Sequence, residues 1–460
     1  MGIKQLLENR VSGQIKKALP LEAGDAALNG LIGRVIADPK RTEQLFGLGE
    51  VFLVKAALYL TGVRLEESAF EGVGTVYKEQ HGIYQFDFNL NADKQNPLPA
   101  ELSLPHGLHV PVVVNPQSPF SLSREKGQLY LKANGMRLFP VEYEPRPKFY
   151  DLNTSDGIAM WKLAQHRLGD ELMVTYNTYC HTLKGGKQCR FCALNANESI
   201  AGCRNGMFIQ TPAQIAEVAE AGYSEGIVKR LEITGGILPH RAEIPFMIEV
   251  AKAVTARLGT KTIPNGHALL AAPNDVADID RLKEAGWEYV FFNLEVWDEN
   301  FFKAYCPGKE ELIGREHWLK ALDYAVRVFG PGNVRCILIA GLEPFQSYME
   351  GAEYLTSHGI FCDPAPWMPM PGSMLEGHSS PSAQWHINLL VKTLDLWEKY
   401  GSLDAHLSCG FSGALPLDTI AKDGWLAFND LARMRLEVRR QNLPESDLRY
   451  KLSVKGDLNL

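Results

Sequence analysis

Residues 172–194 read LMVTYNTYCHTLKGGKQCRFCAL and place three cysteines close together. They are Cys180, Cys189 and Cys192, in a C-x8-C-x2-C arrangement. The run that precedes them is apolar and rich in β-branched and aromatic residues, which predicts a buried strand over 172–178. The thiols are therefore predicted to lie on a loop that leaves the carboxyl end of a strand. In barrel-like α/β proteins, that end is where the chemistry is done.

Three thiols are an informative number of metal ligands. A structural zinc site is closed and takes four protein ligands. An ordinary iron–sulfur cluster also takes four cysteines. Three cysteines on a four-iron cluster would leave one iron open to a small molecule. The alternative that the sequence leaves open is a zinc site completed by His181 or Cys203, and a third possibility is that these cysteines bind no metal.

The C-x2-C end of the motif, with Phe191 just before the last cysteine, resembles the radical S-adenosylmethionine (SAM) superfamily. The spacing departs from the commonest pattern of that superfamily, because eight residues separate the first two cysteines here instead of three. The resemblance implies that Cys180, Cys189 and Cys192 hold a [4Fe-4S] cluster, that SAM binds at the open iron, and that the fold is a partial (β/α)6 barrel.

Two glycines end a second predicted strand, in the sequence LEITGG at 231–236. Gly235 and Gly236 resemble the glycine motif of the superfamily, whose backbone contacts the amino group of SAM. A ligand can approach the backbone closely where no side chain intervenes. The acidic residue, Glu232, precedes the glycines here instead of following them, and a glycine pair after a strand is also an ordinary turn signal.

Further candidate SAM contacts follow later strands. Glu295 ends the fourth predicted strand, where a carboxylate is typical of a functional position. Lys309 and Arg315 are candidates for the carboxylate of SAM, since a guanidinium suits bidentate carboxylate binding. Gly341, after the fifth strand, resembles a glycine that packs beside the adenine. The plainer interpretations are a surface turn, helix-start charges and a buried strand end.

Composition limits the remaining function classes. The chain has 460 residues, a net charge of −7 and a sequence pI of about 6.0, which gives no basic excess for nucleic acid or an anionic membrane. The first residues lack the apolar core of a signal peptide, and no run of about 18 apolar residues predicts a membrane span. Eight cysteines are too few for a disulfide scaffold, so we expect a reducing, cytoplasmic setting.

The chain divides into three predicted parts. Residues 1–150 read as an N-terminal α+β domain, 151–400 as the barrel and 401–460 as a C-terminal extension. Strand and helix patterns alternate through the second part, which implies a parallel sheet; a doubly wound open sheet is the alternative. The first helix is predicted from Thr211 to a stop at Gly222. The strands are predicted over 172–178, 228–234, 261–264, 289–294, 334–340 and 360–368.

The function that the resemblance implies is radical catalysis. A reduced [4Fe-4S] cluster would cleave SAM to a 5′-deoxyadenosyl radical, which would abstract hydrogen from an unidentified small-molecule substrate. An electron donor such as flavodoxin or ferredoxin would be the protein partner. The alternatives are a scaffold that binds zinc or an iron–sulfur cluster without radical chemistry and a cluster-assembly protein.

Overall fold

The computed structural model describes residues 62–72, 101–105, 108–112, 118–167, 170–192, 209–367 and 383–400, together with the separate positions 51, 54–55, 57–58, 194, 373–375, 378 and 380–381. The predicted C-terminal extension and Cys203 lie outside these residues, as do residues 1–50 of the predicted N-terminal domain. The division of the chain into three parts, 1–150, 151–400 and 401–460, stays a prediction.

The N-terminal part contains a sheet of short strands, as the alternating segments between turn residues predicted. Its strands are β1 Arg64–Leu65, β2 Glu101–Leu104, β3 Leu108–Pro111, β4 Phe120–Glu125, β5 Gln128–Ala133 and β6 Met136–Tyr143. Their spatial order is β1-β4-β5-β6-β2-β3. Strands β4, β5 and β6 form an antiparallel meander, and β1 pairs with β4 in parallel.

The second sheet carries the cysteine loop. Its strands are β7 Gln165–Arg167, β8 Glu171–Asn177, β9 Arg230–Gly235, β10 Gly266–Leu269, β11 Tyr289–Phe291, β12 Val334–Ala340 and β13 Phe361–Pro366. Strands β8 to β13 are parallel to one another, and β7 is an antiparallel edge strand. All seven residues of β8 and of β12 are buried, as expected for strands covered on both faces.

Helices follow the parallel strands in alternation. They are α1 Pro212–Glu225, α2 Glu243–Leu258, α3 Asp278–Ala285, α4 Glu299–Tyr305, α5 Pro307–Leu312, α6 Arg315–Phe329, α7 Phe345–Ser357 and α8 Ala383–Lys399. Of these eight helices, α4, α5 and α6 follow β11, and one follows each of the other parallel strands within the described residues. In the described ranges, no helix is both long enough and apolar enough to cross a bilayer.

The strand order confirms the predicted partial (β/α)6 barrel. From β8 to β13 the spatial order of the strands is their order along the chain, with no reversal. A doubly wound sheet would reverse its order at a switch point in the middle of the sheet. The carboxyl ends of β8 to β13 therefore meet at one edge, and the cysteine loop leaves from that edge.

Two local predictions are wrong. The first helix begins at the predicted capping residue, where the Thr211 hydroxyl accepts a hydrogen bond from the Gln214 N–H, but it continues to Glu225 and stops at Gly226. Gly222 lies inside it, where a Cβ would come within 2.8 Å of Val228 Cγ2. The glycine thus serves close packing of the helix and not its termination.

The third strand also differs from its prediction. It lies at Gly266–Leu269 and not at 261–264. Asn265 has a φ of 48°, which breaks the extended conformation just before the observed strand. Pro264 has no N–H to donate to a sheet. Both features prevent residues 261–264, which include the β-branched Thr262 and Ile263, from pairing as a strand of the sheet.

Candidate active site

Asn177, the last residue of β8, connects the cysteine loop to the end of β9. Its side chain accepts a hydrogen bond from the Tyr179 N–H at 3.0 Å and donates one to the Gly236 carbonyl at 3.0 Å. Its own carbonyl accepts the Gly236 N–H at 3.0 Å. This residue was not selected from the sequence, because an asparagine at a strand end is common in turns.

Gly235 and Gly236 allow the two strand ends to approach closely. A Cβ at Gly236 would lie 2.6 Å from Cys180 Cα, and one at Gly235 would lie 2.9 Å from the Asn177 nitrogen. Real Cβ atoms essentially never come that close to backbone atoms, so both positions require glycine. Both glycines also line the cleft described below. Their contact with SAM stays a prediction.

Gly236→Ala is expected to displace the backbone at Cys180. Overpacking of this kind costs about 1–3 kcal/mol in unfolding free energy. The variant should therefore show a lower thermal midpoint and retain less iron after anaerobic reconstitution. Gly185→Ala is the matched control in the same loop, because a Cβ there would meet only the Lys187 side chain at 3.8 Å or more. Equal behaviour of the two variants would contradict the steric argument.

The three cysteines of the motif line one cleft. Each is partly exposed. The Cys180 thiol is 3.0 Å from the Thr182 hydroxyl, and the Cys192 sulfur accepts the Leu194 N–H at 3.4 Å. Among the described residues, no three Cys, His, Asp or Glu side chains are grouped as ligands of a single metal ion. A four-iron cluster needs no such convergence, since each cysteine binds a different iron.

The protein environment shifts the pKa values of the three thiols in different directions. Burial raises the pKa of Cys180 and of Cys192. The pKa of Cys189 is lowered, first because the Cys306 thiol hydrogen-bonds to it and also because Lys309 is nearby. The thiolate is the metal-binding form, so the site favours it most at Cys189.

Glu295 and Lys309 form an ion pair that also lines the cleft. The Lys309 Nζ donates to Glu295 Oε1 at 2.6 Å and to the Asn293 carbonyl at 2.8 Å, and it lies 4.6 Å from the centre of the Trp318 ring. Burial raises the pKa of Glu295, against the effect of Lys309. Burial acts to lower the pKa of Lys309, but Glu295 and the nearby thiols raise it overall, so the ammonium stays charged.

The backbone at Glu295 is held in an uncommon conformation, with a φ of 73°. Its N–H donates to the Ile337 carbonyl at 2.9 Å, and its carbonyl accepts the Ile339 N–H at 2.7 Å. These bonds to β12 fix the residue in the left-handed region, which is unfavourable for a side chain other than glycine. Such conformations are concentrated at functional sites. The hydrogen bonds to β12 thus impose the left-handed backbone conformation of Glu295, which glutamate does not prefer by itself.

The cleft opens at the carboxyl ends of β8 to β11. Its volume is about 890 Å³ when the space open to solvent at its mouth is included. Besides the residues already described, its wall is mostly apolar. That part of the lining comprises Phe191, Leu194, Ile237, Leu269, Leu270, Ala271, Trp318 and Ile337.

Two predicted residues do not line the cleft. The Arg315 guanidinium donates to the Trp297 carbonyl at 3.0 Å and lies 4.6 Å from the centre of the Trp297 ring. Gly341 faces Pro381, whose Cδ would be 2.7 Å from an added Cβ. The structure therefore brings together the three cysteines, Phe191, both glycines, Glu295 and Lys309, and it places Arg315 and Gly341 elsewhere.

Glu343, two residues beyond Gly341, fixes the loop that follows Glu295. Its carboxylate accepts the backbone N–H groups of Trp297 and Asp298 at 2.8 and 3.0 Å. The Ser347 hydroxyl donates to the same carboxylate at 2.6 Å. Glu343, which follows β12, thus contributes to the site by fixing the backbone of Trp297 and Asp298.

Comparison with known protein families gives a match over the part of the chain that contains this cleft. The family model for the radical SAM superfamily matches residues 179–361. A curated relative, bacteriochlorophyllide c C-7(1)-hydroxylase of Chlorobaculum limnaeum, is 28% identical over 243 residues. That alignment covers 50% of this chain and 60% of the relative, so the chain spans less than two thirds of the relative it matches.

Solved structures with a similar fold are distant in sequence. Methylornithine synthase is 16% identical with a TM-score of 0.40, and the match covers 56% of this chain and 69% of that one. The FeFe-hydrogenase maturase of Carboxydothermus hydrogenoformans is 16% identical with a TM-score of 0.38, over 50% of this chain and 51% of that one.

Proposed function

We propose that this chain is a radical SAM enzyme and that Cys180, Cys189 and Cys192 hold its [4Fe-4S] cluster, since the family model of the radical SAM superfamily matches residues 179–361. When bound, the reduced cluster supplies the electron that cleaves SAM into methionine and a 5′-deoxyadenosyl radical, which abstracts hydrogen from a small-molecule substrate. The observation that carries the proposal is the cleft itself, in which three thiols and a buried ion pair meet at the carboxyl ends of parallel strands.

The residues of the cleft fit a cluster with one open iron. Three cysteines contribute one thiolate to each of three irons, and no further cysteine lines the cleft within the described residues. Cys203, which could complete a closed zinc site, lies outside those residues. The ammonium of Lys309 places a positive charge near Cys189, which favours the thiolate form of that cysteine.

The remaining residues have separate roles toward SAM in this proposal. Gly235 and Gly236 present backbone groups to its amino group, and Glu295 faces the ribose or the methionine part. Lys309 has three N–H donors, of which Glu295 and Asn293 take two, so one is left for the carboxylate of SAM. Arg315 has no part in this assignment.

The apolar wall suits the exclusion of water from a reactive species. Leu269, Leu270 and Ile237 line the cleft with apolar side chains that make no hydrogen bonds. The curated relative is named as a hydroxylase, which supports chemistry at a carbon–hydrogen bond in this chain as well. We propose a small molecule as the substrate and a flavodoxin or ferredoxin as the electron donor.

The alternative functions are not favoured, because the family match over residues 179–361 includes the cysteine loop, Glu295 and Lys309. Metal analysis of anaerobically purified protein distinguishes the zinc scaffold, which would contain zinc without iron or sulfide. A cluster-assembly protein would transfer its iron once and would not turn over SAM.

The test of the proposal is an anaerobic reaction. The protein is reconstituted with iron and sulfide, reduced with dithionite and given SAM, and 5′-deoxyadenosine is measured by chromatography. We expect the product from the wild type and none from the Cys180→Ala/Cys189→Ala/Cys192→Ala variant. If no product forms from a loaded cluster, and SAM leaves the EPR spectrum of the reduced cluster unchanged, the proposal is wrong.

A further inference from the structure

The loop that follows β9 turns back through two consecutive left-handed residues. His240 has a φ of 57° and Arg241 has a φ of 55°. Neither residue is glycine, so both conformations are unfavourable for the side chains that adopt them. The Arg241 N–H closes the turn by donating to the Leu238 carbonyl at 3.3 Å. Strained residues persist where the surrounding structure holds them, so the contacts of Arg241 indicate what the turn serves.

The Arg241 guanidinium extends from this turn to the loop that follows β10. Its Nη1 donates to Asn274 Oδ1 at 3.0 Å, and its Nη2 donates to the Ala272 carbonyl at 2.5 Å. Leu270 and Ala271, which come directly before Ala272, line the cleft. The arginine therefore links the loops of two neighbouring strands, next to residues that form the wall of the cleft.

Glu243, the first residue of α2, holds the same guanidinium from the other side. Glu243 is buried, and its Oε2 lies 3.5 Å from Arg241 Nε. Its Oε1 accepts the Leu238 N–H at 2.9 Å. Leu238 directly follows Ile237, which lines the cleft. One ion pair thus fixes the backbone of the loop after β9 and, through Arg241, the backbone of the loop after β10.

Further hydrogen bonds connect this link to other parts of the site. The Ile237 carbonyl accepts the N–H of His181, in the cysteine loop, at 2.8 Å. His317 Nε2, on α6, lies 2.7 Å from the Pro273 carbonyl, which is next along the chain to the carbonyl that Arg241 holds. Arg241 is not one of the residues that line the cleft in the described part of the chain. It acts on a ligand there through the loops that it holds.

We propose that Arg241 is a positioning residue for SAM, which fixes the loops after β9 and β10 at the separation that the bound cofactor requires. The proposal rests on the proposed function, in which SAM binds in the cleft beside Gly235 and Gly236. A wall that is formed before the ligand arrives lowers the conformational cost of binding. Such a wall contributes equally to the binding of SAM and of the transition state, so its loss raises the KM for SAM and leaves kcat unchanged.

Two variants of Arg241 test this role in reconstituted full-length protein. Arg241→Met removes all the contacts of the guanidinium, and each hydrogen bond to a charged group is worth a factor of about ten or more, so we expect the KM for SAM to rise about tenfold. The kcat should stay within about twofold of wild type, with unchanged iron content. Arg241→Lys keeps a charge beside Glu243 but lacks the fork that reaches two acceptors, so its KM should lie between the two. Arg257→Met is the control, because Arg257 pairs with Glu217 and Glu220 of α1 at 3.0 and 2.6 Å, and it should keep the wild-type KM.

Hydrogen exchange of the unliganded protein measures the link between the loops without SAM and without activity. Loss of the guanidinium contacts lowers the local free energy of opening, so Arg241→Met should exchange the Leu238 amide and the amides of residues 270–274 about tenfold faster than wild type. Arg257→Met should show wild-type exchange in the same segments. Mass spectrometry of peptides from the labelled protein gives both rates.

Other results would overturn the proposal. A wild-type KM for SAM in Arg241→Met, together with faster exchange, would limit Arg241 to supporting the fold. Unchanged exchange would show that the guanidinium does not hold the two loops. Loss of iron from Arg241→Met, with normal iron in Arg257→Met, would assign the arginine to the cysteine loop. If Arg241→Met does not fold, a wild-type KM in Arg241→Lys has the same force. If the wild type loads a cluster but binds no SAM, the proposed function fails first and this proposal with it, whatever the exchange rates show about the loops.

Discussion

Cys192→Ala is expected to give a folded protein that retains no cluster. The substitution leaves two thiols in the cleft, which cannot hold three of the four irons. Iron bound after anaerobic gel filtration should fall from about four atoms per chain to less than about one. The fold should persist, because the cysteine is partly exposed and its backbone N–H bond to the Cys189 carbonyl, at 3.1 Å, needs no side chain. Iron and sulfide analysis with circular dichroism measures both outcomes.

Cys336→Ala serves as the control for this substitution. Cys336 is fully buried and does not line the cleft, so its loss should leave the iron content unchanged. A loaded cluster in Cys192→Ala would contradict the ligand assignment. So would loss of the cluster in Cys203→Ala, since that cysteine is not among the proposed ligands.

Glu295→Gln is expected to keep the cluster and to lower SAM cleavage. The amide cannot balance the charge of Lys309, so a largely buried ammonium loses its partner. A hydrogen bond to a charged group is worth about 1.5–3 kcal/mol, and the neutral amide oxygen is a weaker acceptor, so we expect about a tenfold fall in the rate of 5′-deoxyadenosine formation. The free energy of unfolding should fall by about 3–5 kcal/mol, because the buried ammonium is left without a countercharge. Anaerobic kinetics and thermal unfolding measure the two effects.

Two further variants separate charge balance from a contact with SAM. Glu295→Gln/Lys309→Met removes both charges and should recover stability without recovering SAM cleavage. Glu316→Gln removes an exposed carboxylate that pairs with Arg315 at 3.3 Å, and it should change neither property. Wild-type cleavage by Glu295→Gln would show that the ion pair supports the fold and does not bind SAM.

The strand–helix alternation could be predicted from the sequence because five of the six parallel strands overlap segments whose apolar or β-branched residues predict a strand. The exception is β10, whose sequence GHAL has weak β propensity. It is a strand because β9 and β11 pair with it on either side. The preceding residues Thr262 and Ile263 looked more strand-like, and only the tertiary pairing decides between the two segments.

The site could be predicted where its residues are close in sequence or end a strand. The three cysteines, the glycine pair and Glu295 meet these conditions. Arg315 was chosen for its chemistry, but its guanidinium is engaged by Trp297, a contact that no sequence pattern reveals. The contact between the cysteine loop and the end of α4 was missed because the two segments are far apart along the chain.

That separation has a consequence for how the chain matures. Arg190 and Ala304 are hydrogen-bonded at 2.6 Å although they are 114 residues apart. During synthesis the cysteines emerge well before the segment that braces their loop, and contacts between remote segments form late in folding. The cysteine loop can gain this hydrogen bond only after β9, β10 and β11 have been synthesised. We therefore expect cluster insertion to follow barrel assembly, because a nascent chain that stops before residue 304 has its thiols but lacks that bond.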